Sequence, residues 1–188
     1  CPSGWLLNHK KRIMASTIQA ADLTVTIAES VVLNGFEQGT TNTYTIADVN
    51  EVQRRIINCN GSLETTLIKF GPYGAGASRG PEIHVDDVRY LRITNLDDAF
   101  GVALNFQIDT TEHDSTDPSV ANHNAAIALA PGQSFVMGTV ADCIAVSDSS
   151  VTSIDYTASL NDLESIIADV PDAPGITGLD IELFVALV

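Results

Sequence analysis

The residues with the greatest potential for chemistry lie in an acidic stretch of the chain, DTTEHDSTDPS at 109–119. Hard cations such as Ca²⁺ take roughly six to eight oxygen ligands. Carboxylates this dense could supply several of them, although their spacing matches no EF-hand. A solvated acidic loop without an ion is the alternative, and it needs no special geometry. The candidate calcium ligands are the carboxylates of Asp109, Glu112, Asp114 and Asp117. His113 lies between them in the sequence.

Signatures of enzymes are missing from the sequence. It contains no GxSxG nucleophile elbow, no HExxH zinc motif, no Walker phosphate loop and no dinucleotide-binding glycine pattern. The three cysteines (1, 59 and 143) are odd in number and widely spaced, which suggests neither a disulfide framework nor a CxxC metal site, and no basic residues flank Cys59 or Cys143 to activate them. Asp97 and Asp98 are better explained as turn formers than as a catalytic pair. We therefore expect a protein without catalytic residues or a cofactor.

The charge of the chain excludes further classes of function. Nine Lys and Arg residues face 24 Asp and Glu residues, which gives a net charge of −15, and no Lys or Arg follows Arg92. Phosphate backbones and anionic lipids are bound by clustered basic residues. Neither a nucleic acid nor a membrane is therefore an expected partner.

Residues 1–13, CPSGWLLNHKKRI, differ from the rest of the chain because they carry three of the nine basic residues and no acidic one. Without them, six basic residues face 24 acidic ones, a net charge of −18. Their charges follow the apolar residues, which is the wrong order for a signal peptide. Three interpretations stay open: upstream sequence included by misplacing the start of the gene, a processed product that begins at Cys1, or a basic arm that binds an acidic neighbouring subunit.

Alternation of apolar and polar residues predicts that the remainder, 14–188, is one domain of short strands. Asn34-Gly35, Asn60-Gly61 and Pro131-Gly132 are typical turn sequences between such strands. The glycine-rich residues 71–81 predict a long exposed loop, and 95–98 a turn. The predicted strands are 22–28, 31–33, 43–49, 51–58, 63–70, 83–94, 102–108, 125–129, 134–137, 179–188 and, less regular, 141–146 and 151–158.

One segment suggests a helix. In SLNDLESIIADV, at 159–170, a serine could cap the first turn, and four apolar residues share a helical face. The C-terminal run LDIELFVALV, at 179–188, is instead typical of a strand buried on both faces. The expected fold is thus all-β, an antiparallel, jelly-roll-like β-sandwich with one short helix.

Three connected segments carry a resemblance to a known group of proteins. VRYLRITNLDD at 88–98 is followed by the alternating VALNF at 102–106 and by IALAPGQSFV at 127–136. This succession resembles structural proteins of tailed bacteriophages, particularly marine and cyanobacterial phages. Residues 22–27 with 32–35, 50–52 with 54–56, and 179–188 are similar to the same group, so the resemblance spans about Met14 to Val188 and omits residues 1–13.

The resemblance implies a non-enzymatic virion part present in many copies. We expect a capsid decoration or cement protein, located on virions assembled in the host cytoplasm. A neck or tail protein is the alternative within this class, and a secreted calcium-dependent adhesion module is the alternative outside it. Expected partners are other virion proteins and further copies of the chain, as a trimer. Candidate assembly residues are the 71–81 loop, the C-terminal strand, Arg54, Arg55, Tyr73, Arg79, Arg89 and Arg92. Such arginines either neutralise carboxylates of their own fold or bind those of a partner.

Overall fold

The computed structural model describes residues 19–61, 63–71, 83–108, 123–138, 163–172 and 176–188. These residues form β-strands and a single 3₁₀ turn, Val85–Asp87. The strands are β1 (Ala21–Ala28), β2 (Val32–Leu33), β3 (Phe36–Glu37), β4 (Thr41–Val49), β5 (Glu51–Cys59), β6 (Thr65–Gly71), β7 (Ile83–His84), β8 (Val88–Asn95), β9 (Val102–Ile108), β10 (His123–Leu129), β11 (Ser134–Gly138), β12 (Leu163–Asp169) and β13 (Leu179–Leu187).

Two sheets form the body of the molecule. The larger has the strand order β10-β9-β12-β6-β7, and the smaller has the order β11-β8-β13-β5. All neighbouring strands are antiparallel except β6 and the two-residue β7. Buried side chains of both sheets, including Leu104 and Phe106 from one and Ile93 and Leu183 from the other, form one hydrophobic core. The prediction of an all-β sandwich is confirmed.

The chain crosses between the two sheets as two paired ribbons. Strands β8 and β9 run antiparallel to β11 and β10, so the described residues 88–108 and 123–138 make a two-stranded ribbon that folds over from the smaller sheet onto the larger one. A second folded ribbon consists of β5 and β6 paired with β13 and β12. The ribbons meet where β9 pairs with β12 and β8 with β13. This order of pairing is that of a jelly roll.

A buried asparagine holds the fold of the first ribbon. Asn95 is fully buried at the end of β8, and its Nδ2 donates to the carbonyl of Phe100 at 2.8 Å and, at 3.4 and 3.3 Å, to those of Leu129 and Ala130. Its Oδ1 accepts from the backbone N–H of Asp97 at 3.0 Å. Both bends of the ribbon are thus joined through one side chain, which supplies partners for buried backbone groups that water cannot reach.

The second ribbon bends at close-packed glycines. A Cβ on Gly178 would lie 2.9 Å from the carbonyl oxygen of Cys59, and one on Gly61 would lie 3.1 Å from that of Ile176. A side chain at Gly178 would therefore push the two strands apart. Backbone contact at this bend brings the apolar C-terminal strand into the centre of the smaller sheet.

The predicted helix at 159–170 is wrong over its described part, since Leu163–Asp169 is strand β12. Leu163, Ile166 and Ile167 fit one face of a helix, but they equally fit a strand whose two faces are both covered. β12 lies between β9 and β6, and its residues 165–168 are all buried. Hydrogen bonds to two neighbouring strands and the β-branched Ile166 and Ile167 favour the extended backbone.

The predicted strand 83–94 is also interrupted. Val85–Asp87 forms a 3₁₀ turn in which the backbone N–H of Asp86 donates to Nδ1 of His84 at 3.1 Å. The strands on either side of the 95–98 turn, β8 and β9, do not pair with each other but lie in different sheets. The turn residues thus make a corner between sheets. The predicted strands 141–146 and 151–158 and nearly all of the 71–81 loop lie outside the described residues.

Replacing Asn95 with Ala should destabilise the fold by about 3 kcal/mol, because several buried backbone groups lose their partner at once. Urea denaturation measures this as a lower midpoint with an unchanged slope. Asn42→Ala, at an exposed position of β4, is the matched control and should change the free energy of unfolding by less than about 0.5 kcal/mol. Equal effects of the two substitutions would contradict the role assigned to Asn95.

Candidate functional site

An antiparallel hairpin, here called the arm, comprises residues 21–49. β1 pairs with β4 along its base, and β2 pairs with β3 at its far end. At the base, Leu23, Val25, Ile46 and Val49 pack on the outer face of the smaller sheet, against the side chains of Tyr90, Phe184 and Ala186. This covers apolar side chains on the outside of a sheet whose other face already lines the core.

The far end of the arm is exposed in the described structure. Every residue from Ile27 to Asn42 is exposed except the partly buried Gly39. Asn34 and Gly35, with φ of 52° and 83°, form the turn that the sequence predicted. Around this turn stand four exposed apolar side chains, of which Phe36 has the highest relative exposure, 71%. We call these four the tip: Val31, Val32, Leu33 and Phe36.

A carboxylate orders the tip. Oε1 of Glu37 accepts hydrogen bonds from the backbone N–H groups of Val31, at 3.0 Å, and Gly39, at 2.8 Å. These bonds to the charged form lower the pKa of Glu37 below its ordinary value. Gly39 has no room for a side chain, since a Cβ there would lie 2.0 Å from the carbonyl oxygen of Glu29. The apolar tip is therefore held in a defined conformation by polar contacts of its own.

Next to the base of the arm, a buried carboxylate binds two arginines. Glu182 of β13 has a side chain only 7% exposed. Its Oε1 accepts from Nε of Arg54 at 2.6 Å and lies 2.5 Å from Nη2 of the same residue. Its Oε2 accepts from Nη2 of Arg92 at 2.5 Å. The three residues are neighbours on the outer face of β5, β13 and β8, and we call them the Arg–Glu–Arg cluster.

The two arginines differ in their surroundings. Arg54, on β5, has a side chain 67% exposed, whereas Arg92 stacks over the ring of Phe184, with 5.7 Å from Cζ to the ring centroid. Nε of Arg92 is buried without a hydrogen-bond partner in the described structure, beside a cleft of about 210 Å³ between β1 and the sheet. Arg92 is therefore part of the packed structure, whereas most of the Arg54 side chain is exposed to solvent.

The other predicted assembly residues do not join this cluster. Arg55 follows Arg54 on an extended strand and points to the opposite face, where its Nη2 donates to the carbonyl of Leu67 at 2.8 Å. Arg89 donates to the carbonyl of Asp86 at 2.9 Å. The predicted C-terminal strand is β13 and lies in the centre of the smaller sheet. Outside the described residues lie Tyr73, Arg79 and the candidate calcium ligands Asp109, Glu112, Asp114 and Asp117.

Two groups that were considered for catalysis, Cys59 and Asp97, have structural roles in the described structure. Cys59 is a fully buried free cysteine, and burial raises the pKa of its thiol. Oδ1 of Asp97 accepts from the backbone N–H groups of Ala99, at 2.8 Å, and Phe100, at 2.7 Å, which makes Asp97 a turn former as expected. Within the described ranges, no three His, Cys, Asp or Glu side chains come together as a metal site. No helix of the same ranges is long and apolar enough to cross a membrane.

Comparisons with family models, with curated proteins and with solved structures found no match to this chain. The functional surface must therefore be inferred from the molecule itself. The exposed apolar tip of the arm was not predicted from the sequence. The signal was present, because three apolar residues before Asn-Gly and a phenylalanine after it leave no polar face on a hairpin this short.

Substitutions in the Arg–Glu–Arg cluster should have unequal effects on stability. Glu182→Gln should cost about 2 kcal/mol, because two arginines lose their counter-charge, while Arg54→Gln should cost less than about 1 kcal/mol, since Arg54 is solvated and Arg92 still neutralises Glu182. Chemical denaturation of both variants and of the double variant gives the coupling between the residues. If Arg54→Gln cost more than Glu182→Gln, the assignment would be wrong.

The order of the tip should depend on pH. Because the folded pKa of Glu37 lies below the ordinary value of 4.5, its contribution is complete above that value and is lost as the pH falls through the folded pKa. Protection of the Val31 and Gly39 amides from hydrogen exchange, measured by NMR, should fall in that acidic range. Glu37→Gln should remove this dependence, and Glu29→Gln, on the same arm, should keep it. A Glu29→Gln variant without the dependence would refute the mechanism.

Proposed function

We propose that this chain is a non-enzymatic virion structural protein of a tailed phage, and that it decorates or cements the outer capsid as a small homo-oligomer, a trimer. The observation that carries this proposal is the exposed apolar tip on the arm. Apolar side chains that project into water on an ordered hairpin are a usual mark of a protein–protein contact. A protein whose main surface feature is an attachment element is suited to assembly.

The sandwich body supports the same proposal. Jelly rolls occur in viral capsid proteins, and also in lectins and cupins, so the fold alone does not decide between functions. In the described structure, His84 and Asp97 accept hydrogen bonds from backbone N–H groups of turns, and Cys59 lies in the core. The resemblance of 88–136 to phage structural proteins then favours the virion among the hosts of this fold.

The charge of the chain fits a part present in many copies. A net charge of −15 keeps free copies apart at high concentration through mutual repulsion. Specific association must then rest on local contacts that overcome this repulsion, which an apolar tip provides. An outer position on the capsid also avoids the packaged nucleic acid, which a chain this acidic would repel.

Mass spectrometry of gradient-purified phage particles that encode the chain tests the proposal. The protein should be present in intact particles in a copy number comparable with that of the major capsid protein. A cryo-EM reconstruction of the same particles should place it outside the capsid shell. Its absence from purified particles would refute a virion role, and a copy number limited to a single ring at the neck or tail would refute the capsid position.

A further inference from the structure

Besides the tip, the chain exposes a second apolar surface. On the outer face of β5, Val52, Arg54 and Ile56 alternate with inward-facing residues and form a row, here called the acceptor row. Val52 and Ile56 are both exposed large hydrophobic residues. Among the described strands, β5 has a neighbour on one side only, β13. The row therefore lies at an edge of the smaller sheet.

The tip and the acceptor row do not cover each other within one copy, because the apolar residues of both are exposed. The base of the arm is fixed on Tyr90 and Ala186 of the same sheet. From there, the hairpin carries the tip away from the body, as shown by the exposure of residues 27–38 and 40–42. Contact between the two surfaces consequently requires two molecules.

The charges of the two surfaces are complementary. The only charged residues from 19 to 50 are Asp22, Glu29, Glu37 and Asp48, all acidic. The acceptor row contains Arg54, whose side chain is 67% exposed, and the Arg–Glu–Arg cluster to which it belongs has two positive charges against one negative. A cationic, apolar row on a chain of net charge −15 is thus matched by an anionic, apolar arm of the same chain.

We propose that the tip of one copy docks on the acceptor row of a second copy. In this contact Leu33 and Phe36 pack on Val52 and Ile56, and the carboxylates of the arm face Arg54. The two surfaces differ, so the contact is heterologous, and a ring such as the proposed trimer forms when the rotation between successive copies closes. The inference deepens the proposed function and rests on it for its role in the particle, by naming the surfaces through which copies associate.

A pair of complementary variants tests this docking. The tip variant carries Leu33→Thr and Phe36→Thr, the acceptor variant carries Val52→Thr and Ile56→Thr, and Val136→Thr, an exposed apolar position of the same sheet, is the control. Threonine keeps the strand propensity, so each variant should fold with an unchanged circular dichroism spectrum. Sedimentation velocity over a range of concentrations should show oligomers for the wild type and the control. Association of either variant alone should weaken by about tenfold or more.

Mixing the two variants gives the decisive result. The acceptor variant still has an intact tip, and the tip variant still has an intact row, so the mixture should form a heterodimer with a single junction. A wild type that stays monomeric, variants that associate as the wild type does, or a mixture that stays monomeric would each overturn the docking. These outcomes are independent of the proposed virion role. Absence of the protein from purified particles refutes the virion role even if the mixture forms heterodimers. Presence of the protein in particles does not support docking if the mixture stays monomeric.

Discussion

Strand β13 is buried on both of its faces, so neighbouring elements must cover its apolar side chains on each face and neutralise its buried carboxylate. On the inner face, Ile181, Leu183 and Val185 pack in the core between the sheets. On the outer face, Ala186 and Phe184 are covered by the base of the arm, and the carboxylate of Glu182 is neutralised by arginines from both neighbouring strands. A buried carboxylate without such partners would be costly. The arm and the Arg–Glu–Arg cluster thus together cover the outer face of β13: the arm covers its apolar side chains, and the arginines neutralise its buried carboxylate.

The same constraint links the fold to the proposed assembly. Because the base of the arm is anchored on the smaller sheet, the arm has a fixed origin and its tip projects in a defined way. An isolated two-stranded hairpin is marginally stable in water, and here the contacts of Glu37 and the Asn34-Gly35 turn maintain it. Strand β5, which lies at an edge of the smaller sheet among the described strands, carries the acceptor row with Arg54. Packing of the body therefore positions both the tip and the acceptor row, the two surfaces through which copies are proposed to associate.

Much of the architecture was predictable from local sequence, and the failures have a physical cause. Perfect alternation identified β1 and β9, and Asn34-Gly35 identified the turn of the arm. The helix predicted over 159–170 is wrong at 163–169 because the apolar spacing there suits either a helix or a strand, and only the distant strands β6 and β9 decide between the two. The role of Glu182 depends on arginines 128 and 90 residues away. A lone acid inside an apolar C-terminal run was its only local signal.

The central proposal is that this is an assembly protein whose copies associate through the arm. Removing the end of the arm is its most direct test. Ala28 pairs with Thr41, so residues 29–40 can be replaced by an Asn-Gly turn that closes β1 onto β4 and leaves the base intact. Light scattering coupled to size exclusion then compares the shortened protein with the wild type. We predict a folded monomer for the shortened protein and an oligomer for the wild type. The same mass for both would contradict the account.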